Sequence, residues 1–147
     1  MNIKVLKIPM DQSEELEIRC HEETELVHEI VTFVTSIQGR LSCILEGEHY
    51  EIPVSDILYV ESVDNITFIY SSSKVFESKQ KLYELEGILK EKWFLRVSKN
   101  LVVNLMKVKS IKPALSGRYY AILQNAEEII ISRKYVPDLK RALKGGN

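Results

Sequence analysis

Basic side chains gather in the second half of this 147-residue chain, and they are the residues with the clearest capacity for chemistry. Residues 1–70 carry 4 basic and 14 acidic side chains, a net charge of −10, whereas residues 71–147 carry 16 basic and 7 acidic ones, a net charge of +9. The basic residues near predicted strand and helix ends are Lys79, Lys81, Arg96, Lys99, Lys107, Lys109, Lys112, Arg133 and Lys134. Long cations there can reach phosphates and base edges, so the pattern favours binding of a polyanion, although a charged run is often only a solvated face.

Other chemistry finds little support in the sequence. The three histidines, His21, His28 and His49, share no metal-ligand spacing, and no glycine-rich phosphate loop is present. No serine or cysteine lies in a recognisable nucleophile motif, although a triad that forms only in space leaves no sequence signal. The carboxylates of Asp56, Glu61 and Asp64 fit turn capping better than an acid pair. We therefore expect no enzyme activity, catalytic residue, metal, cofactor or small-molecule substrate.

The cysteines and the apolar runs favour a cytoplasmic protein. Cys20 and Cys43 are the only cysteines and no export signal precedes them, so both are expected to be reduced thiols. The apolar runs are too short to span a bilayer.

The first 41 residues are predicted to form a β-β-α extension. Apolar and charged residues alternate over residues 2–8, imperfectly, and over residues 15–20, which predicts two strands. A helix is predicted next, because Leu26, Ile30, Phe33, Val34 and Ile37 form one apolar stripe at helical spacing.

From residue 40 onward the sequence pattern is typical of a β protein. Short β-branched and aromatic runs recur every 8–12 residues with polar turns between them, which predicts ten strands. They are expected at residues 40–45, 50–53, 57–61, 67–71, 74–78, 93–97, 101–103, 108–112, 118–124 and 128–132. Two helices are predicted among them, at residues 79–90 with Ser78 as N-cap and at residues 135–143. The fold class is therefore α+β, predominantly antiparallel.

Four stretches, taken in order, closely resemble the LytTR (LytR/AlgR-type) DNA-binding domain of bacterial transcription regulators. They are SDILYVESVDN at residues 55–65, KLYELE at 81–86, WFLRVSKNLVVN at 93–104, and residues 129–139 with SRKYV at 132–136. The resemblance covers about residues 42–144 and implies an elongated, mostly antiparallel β fold that inserts loops into DNA grooves.

Carried over by position, the resemblance implies three DNA-contacting loops, at residues 64–67, 98–100 and 133–134. Arg133 is the first candidate for a base contact, since arginine suits bidentate bonding to guanine, and Lys99 is the second. Further base contacts are expected from Asn65, Thr67 and Asn100. Phosphate contacts are expected from Lys79, Lys81, Ser98 and Lys134.

Other motif residues are expected to be structural. Core positions are predicted for Tyr59, Phe68, Trp93, Phe94, Leu101 and Val103. Arg96 is a candidate to pair with an acidic neighbour and orient a loop, and Asn104 to satisfy backbone groups in a turn.

The resemblance implies a stand-alone regulator that binds promoter repeats as a homodimer. Many family members carry a phosphorylated receiver domain ahead of the DNA-binding part, whereas only the short extension precedes it here. Residues 1–41 can complete the core, contact a second copy, or bind an inhibitory membrane protein. The alternative function is a protein-interaction β domain whose basic face binds an acidic protein.

Overall fold

The protein is described by a computed structural model that covers residues 1–144, without the side chains of residues 35–38 and 91. It is an α+β fold in which every paired strand is antiparallel, as the sequence predicts. The helices are α1 (Glu25–Gln38), α2 (Leu82–Leu89) and α3 (Val136–Leu143). The strands are β1 (Arg40–Leu45), β2 (Glu48–Pro53), β3 (Ile57–Val63), β4 (Ile66–Ser71), β5 (Val75–Ser78), β6 (Phe94–Ser98), β7 (Leu101–Asn104), β8 (Val108–Pro113), β9 (Tyr119–Leu123) and β10 (Glu128–Ile131).

The strands form two sheets. The large sheet has seven strands in the order β2-β1-β5-β4-β3-β7-β6, and the small sheet has the order β10-β9-β8. Strands β3 and β7 lie near the middle of the fold, and their first four residues are all buried. Strands covered on both faces have continuous apolar runs rather than alternation, which explains the ILYV and LVVN sequences.

Two hydrophobic cores lie on opposite faces of the large sheet. The first core packs α2, through Leu82, Leu85 and Leu89, against the sheet. The second core packs the small sheet and α3, with Val136 and Leu139, against the other face. The large sheet is thus the middle layer of a three-layer arrangement.

The ten strands predicted from residue 40 onward are all present, with ends that shift by a few residues. The two strands predicted in the N-terminal extension are wrong, because residues 1–24 contain no strand. Within residues 1–144 no strand pairs with these segments, and the apolar side chains of residues 3–8 are exposed, with Ile3 at 90%, although Ile18 is partly buried. Alternation marks an amphipathic segment, and only a partner edge makes it a strand.

The first helix forms as predicted, but its apolar stripe does not enter a core. Leu26 and Phe33 are each about half exposed, whereas Val27, next to the stripe, is buried. The side chain of Ile37, the last residue of the predicted stripe, lies outside the described residues. None of the helices in residues 1–144 is long and apolar enough to cross a membrane.

The start of α2 also differs from the prediction. Ser78 ends β5 and its hydroxyl accepts a hydrogen bond from the Gln80 amide, so it caps a turn rather than the helix. The helix begins at Leu82, three residues after the predicted start at residue 79, and Lys81 occupies the N-cap position. Lys79 and Lys81 therefore lie in the connection before α2, not in its first turn.

Most of the predicted core residues are buried. Tyr59, Phe94, Leu101 and Val103 are confirmed as core, and the Tyr59 ring stacks on Tyr70 with 4.4 Å between centroids. The prediction is less accurate for Phe68 and Trp93, which are only partly buried. Trp93 is at the edge of the second core, where the backbone has a φ of 66°.

Asn104, the last residue of β7, links that strand to the start of β3 and to the turn that follows β7. Its side-chain Nδ2 donates to the Ile57 carbonyl at 2.8 Å, and its Oδ1 accepts from the Met106 amide at 3.0 Å. The residue is almost completely buried, so both backbone groups depend on it. The prediction that Asn104 satisfies backbone in a turn is confirmed.

We predict that Asn104→Ala lowers the free energy of unfolding by about 2–4 kcal/mol, because two buried backbone groups lose their partners. Chemical denaturation measures the change. Asn125→Ala is the matched control, since its 2.8 Å side-chain bond to Glu127 is exposed, and it should cost under about 1 kcal/mol. Equal losses from the two substitutions would contradict the role assigned to Asn104.

Candidate nucleic-acid interface

Three hairpin or helix connections meet at one end of the large sheet. The register pairs Val63 with Ile66 at the β3–β4 turn and Thr67 with Ser78 where β5 ends. It also pairs Glu61 with Leu101, which places the β6–β7 turn beside the end of β3. The connections at residues 64–65, 79–81 and 99–100 therefore leave the sheet from the same end.

Backbone hydrogen bonds link these connections and bring in a fourth. The Ser62 amide donates to the Asn100 carbonyl at 2.8 Å, which ties the end of β3 to the β6–β7 turn. The Ser132 amide donates to the Val97 carbonyl at 2.9 Å, and this brings the β10–α3 connection to the same place. We call residues 64–65, 79–81, 98–100 and 132–134 together the loop end.

The β3–β4 turn is a two-residue hairpin of defined shape. Asp64 and Asn65 have φ values of 51° and 66°, and two positive values in succession are the conformation of a type I′ turn. Aspartate and asparagine tolerate this conformation better than other non-glycine residues. Lys81 reaches this turn, with its Nζ donating to the Asn65 carbonyl at 3.4 Å. Asn65 itself is exposed, as its predicted role requires.

Arg96 stabilises the β6–β7 turn by hydrogen bonds to the backbone of the turn. Its Nε donates to the Ser98 carbonyl at 2.9 Å, one terminal nitrogen donates to the Lys99 carbonyl, and the other pairs with Glu86 on α2 at 2.6 Å. The Arg96 side chain is 20% exposed. The prediction that Arg96 pairs with an acidic neighbour and orients a loop is confirmed, and the fork fixes two successive carbonyls.

The turn itself presents Lys99 and Asn100 to solvent. The Ser98 hydroxyl accepts from the Asn100 amide at 3.3 Å and so helps to close the turn. A hydroxyl that accepts within the turn keeps its own proton for another acceptor. Ser98 can therefore still donate to a phosphate, while Lys99 and Asn100 project beyond it.

Arg133 extends from the 3₁₀ turn Arg133–Tyr135, directly after the bond that ties Ser132 to Val97. Its aliphatic stem lies against Gly117, where an added Cβ would come within 3.1 Å of the Arg133 Cδ. Gly117 also has a φ of 76°, so a side chain there would be both strained and in the way. Lys134 is exposed and its Nζ lies 5.5 Å from the centre of the Tyr135 ring.

Among residues 1–144, neither Lys99 nor Arg133 is part of an ion pair, and both side chains are exposed. Because the Val97–Ser132 bond joins their connections, they lie at the same end of the molecule. Lys79 is exposed there too. The structure thus brings together eight of the nine predicted contact residues.

Thr67 is the exception, and we withdraw it from the candidate base contacts. It lies inside β4 opposite Ser78 and is only 2% exposed. Side chains alternate between the faces of a strand, so an error of one residue in placing the loop exchanges an exposed position for a buried one. The exposed member of this turn is Asn65.

Two paired tyrosines, Tyr59 and Tyr70, lie toward the end of β3 and β4 that is opposite the loop end. Burial first, and then the nearby Glu61 carboxylate, raises the pKa of Tyr70, whose hydroxyl donates to Glu61 at 3.4 Å. Burial and the Glu127 carboxylate likewise raise the pKa of Tyr59, whose hydroxyl donates to Glu127 at 2.8 Å. Both hydroxyls therefore stay protonated near neutral pH and add no charge to the sheet.

Two supporting residues were missed by sequence reasoning. Glu86 lies within the KLYELE motif, but nothing local indicates that it pairs with an arginine ten residues away on another element. Gly117 was given no supporting role, although its missing side chain makes room for Arg133. Both roles arise from contacts between distant elements. Within the described residues, no group of His, Cys, Asp and Glu side chains is arranged to hold a metal ion.

The profile of the LytTr DNA-binding domain matches residues 47–144, about two thirds of the chain. The chain belongs to the LytTr DNA-binding domain family. The match begins after β1, so α1 and the first strand of the large sheet lie outside the family profile. The predicted domain boundary at residues 41 and 42 stays a prediction.

Relatives of the LytTr domain include named regulators. The chain is 27% identical over 123 residues to the sensory transduction protein LytT of Bacillus cereus, covering 83% of this chain and 50% of LytT. It is 26% identical to the transcriptional regulatory protein YpdB of Escherichia coli K12, over 75% of this chain and 46% of YpdB. The chain thus spans about half the length of these relatives. An uncharacterized HTH-type transcriptional regulator of Staphylococcus aureus is 28% identical, over 87% of this chain and 88% of its own length.

A solved LytTr domain confirms the fold. The LytTr DNA-binding domain of a Bacillus cereus response regulator superposes with a TM-score of 0.68 at 22% identity. The superposition covers 72% of this chain and 97% of that domain. The two-sheet arrangement is therefore the fold of the family.

We predict that Arg96→Lys weakens binding of a specific duplex about tenfold, because an ammonium cannot hold the Ser98 and Lys99 carbonyls in one plane. The salt dependence of binding should stay unchanged, since Arg96 faces inward and the substitution keeps its charge. Fluorescence anisotropy at several salt concentrations measures both quantities. Arg141→Lys, at an exposed arginine on α3, is the matched control and should bind as the parent does. Unchanged affinity of Arg96→Lys for the specific duplex would contradict the role assigned to the guanidinium.

Proposed function

We propose that this chain is a sequence-specific transcription regulator that binds double-stranded DNA and inserts side chains of the loop end into its grooves. Membership of a DNA-binding domain family supports the binding of DNA. The observation that carries the mode of binding is the exposed set of cationic side chains on connections that hydrogen bonds tie together. No small-molecule substrate or cofactor enters this proposal.

The roles follow from the chemistry of each side chain. Arg133 is assigned to a base edge, because its planar guanidinium can bond two acceptors of guanine at once. Lys99 is the second base contact, and Asn65 and Asn100 are the polar candidates on the neighbouring turns. Phosphate contacts are assigned to Lys79, Lys81, Ser98 and Lys134, which anchor the protein without reading sequence.

Loops rather than helices are proposed as the reading elements. Helices α2 and α3 have eight residues each, which is about 12 Å, and both pack one face into a core. The loop end instead projects from a sheet whose strands are fixed on both faces. A rigid sheet gives loop side chains a defined spacing, which sequence readout requires.

The names of the relatives support a regulatory role. YpdB is named a transcriptional regulatory protein and LytT a sensory transduction protein. We propose that this chain likewise acts on promoters in the cytoplasm, as a homodimer at repeated sites. Absence of a receiver domain and control by a membrane protein stay predictions from the family resemblance.

The alternative is a protein-interaction domain whose basic face binds an acidic protein. The confinement of Lys99 and Arg133 to one set of hairpin tips favours grooves over a broad protein surface. Gel shifts with genomic fragments, competed by an acidic protein and by random duplex, separate the two functions. Binding of the acidic protein without a shift of any genomic fragment would favour the alternative.

We predict different defects for Arg133→Ala and Lys79→Ala. Arg133→Ala should cost about 1–3 kcal/mol of binding to the selected site and relax the preference at one base pair. Lys79→Ala should weaken selected and random duplexes alike and reduce the salt slope by about one. Selection of bound genomic fragments supplies the site, and anisotropy then measures each variant.

The matched control for these variants is Lys74→Ala, in the β4–β5 turn at the other end of the sheet, which should leave DNA binding unchanged. Equal losses from Arg133→Ala and Lys79→Ala on specific and random duplexes would contradict the assigned roles. Failure of the parent protein to bind any genomic fragment would contradict the proposed function.

A further inference from the structure

The first eight residues form an apolar, basic segment that no part of this chain covers within the described structure. Ile3, Val5 and Leu6 are each at least 80% exposed, and Lys4 and Lys7 lie between and beside them. The hydrogen bonds of residues 1–23 are local, from the Gln12 amide to the Pro9 carbonyl and from Arg19 to Glu17. An exposed apolar segment of this kind is typical of a surface that binds another molecule.

An apolar groove runs along α1. Its volume is about 780 Å³, and one wall is the stripe of α1 that contains Leu26, Ile30 and Phe33. The other wall comes from Trp93, Met106 and the end of α3. Glu25 and Glu29 line the same groove and make its α1 rim acidic. The groove is thus apolar inside and negative at its edge.

The segment and the groove match in length and charge. The groove follows α1 from Glu25 to Phe33, about 12 Å at the helical rise. An extended chain from Ile3 to Ile8 spans about 16 Å, so it can cover the groove from end to end. Lys4 and Lys7 lie among the apolar residues of the segment and carry charge opposite to that of Glu25 and Glu29, so ion pairs can form at the rim.

We propose that residues 1–8 of one copy of this chain dock in the α1 groove of a second copy, which returns the same contact. Within one chain the groove is open and residues 1–8 extend into solvent. Each copy therefore provides one free groove and one free segment. A reciprocal exchange closes both surfaces in an isologous dimer. The partner surface is therefore the protein's own.

The docked dimer leaves the loop end accessible. Trp93 precedes β6 and Met106 follows β7, so the groove is at the opposite end of the β6–β7 hairpin from Lys99 and Asn100. The five residues of β6 separate them by about 17 Å. The inference specifies a contact for the homodimer of the proposed function, but it can be tested apart from DNA binding, because the contact uses none of the candidate DNA residues.

Sedimentation velocity of the full chain over a wide concentration range tests the proposal, which expects a concentration-dependent dimer. Leu6→Asp in the segment and Leu26→Asp in the groove should each raise the dimer dissociation constant about a hundredfold, since each substitution disrupts two symmetric contacts. Met10→Asp and Val31→Asp are the matched controls. Met10 is exposed beyond the segment, and Val31 is half exposed on α1 but does not line the groove. All four should keep the parent's unfolding midpoint.

Mixing distinguishes exchange between copies from closure within one chain. Leu6→Asp and Leu26→Asp chains are each expected to be monomers, but an equimolar mixture should form dimers through one intact groove and one intact segment. Reversing the charges, with Lys4→Glu and Lys7→Glu, should weaken the dimer, and adding Glu25→Lys and Glu29→Lys should restore it.

Three outcomes would overturn the proposal. The parent chain could be monomeric at every concentration, which includes the case of a segment that folds back on its own groove. The dimer could survive both aspartate substitutions, or the mixture could stay monomeric. None of these outcomes bears on DNA binding, which is measured separately at the loop end.

Discussion

The whole arrangement depends on two strands that belong to both hydrophobic cores. Strand β7 gives Val102 to the core beneath α2 and Leu101 and Val103 to the core beneath the small sheet. Strand β3 divides its buried residues in the same way, with a register irregularity between Ile57 and Tyr59 that allows it. Both outer layers pack on the same pair of strands. Loss of either core would therefore expose one buried face of β3 and β7 and weaken the support for the other core.

This shared pair of strands also determines where the loops lie. The β6–β7 turn leads directly into β7, and the β3–β4 turn continues from β3, so two of the four connections are attached to this pair of strands. The remaining two are joined to them through side chains or the backbone, by Lys81 at Asn65 and by Ser132 at Val97. Arg96 adds a second support, because its guanidinium holds the turn carbonyls while Glu86 holds the guanidinium. A loop held this way loses little conformational entropy on binding.

Much of the fold could be predicted from the sequence because it depends on local patterns. The ILYV and LVVN runs indicate strands buried on both faces, and the Asp64–Asn65 turn has a composition typical of hairpins. Residues 2–8 and 15–20 have the alternation of strands yet form none, since pairing depends on an edge that the sequence pattern does not reveal. For the same reason the exposed stripe of α1 could not be distinguished from a core-facing one.

The candidate site shows a similar division. Family position was enough to nominate Lys99, Arg133 and Asn65, because these residues lie at hairpin tips or helix connections where exposure is the rule. Thr67 was nominated by the same reasoning and is buried, since one residue along a strand reverses the face. Glu86 and Gly117 were not nominated, because their roles are to support other side chains across elements. Support of that kind depends on three-dimensional packing and has no periodic signature in the chain.

The two sheets position different residues of the loop end. Lys99 and Asn65 project from the large sheet, whereas Arg133 follows the small sheet and rests on Gly117 of the same sheet's β8–β9 connection. Their relative spacing therefore depends on the packing of the second core and on the bond between the Ser132 amide and the Val97 carbonyl. Because a packed interior resists compression, the distance between Arg133 and the tips of the large sheet changes little. Under the proposed function, a duplex would adapt its groove to the protein more than the protein adapts to the duplex, so sequences whose grooves deform easily would be bound at lower cost.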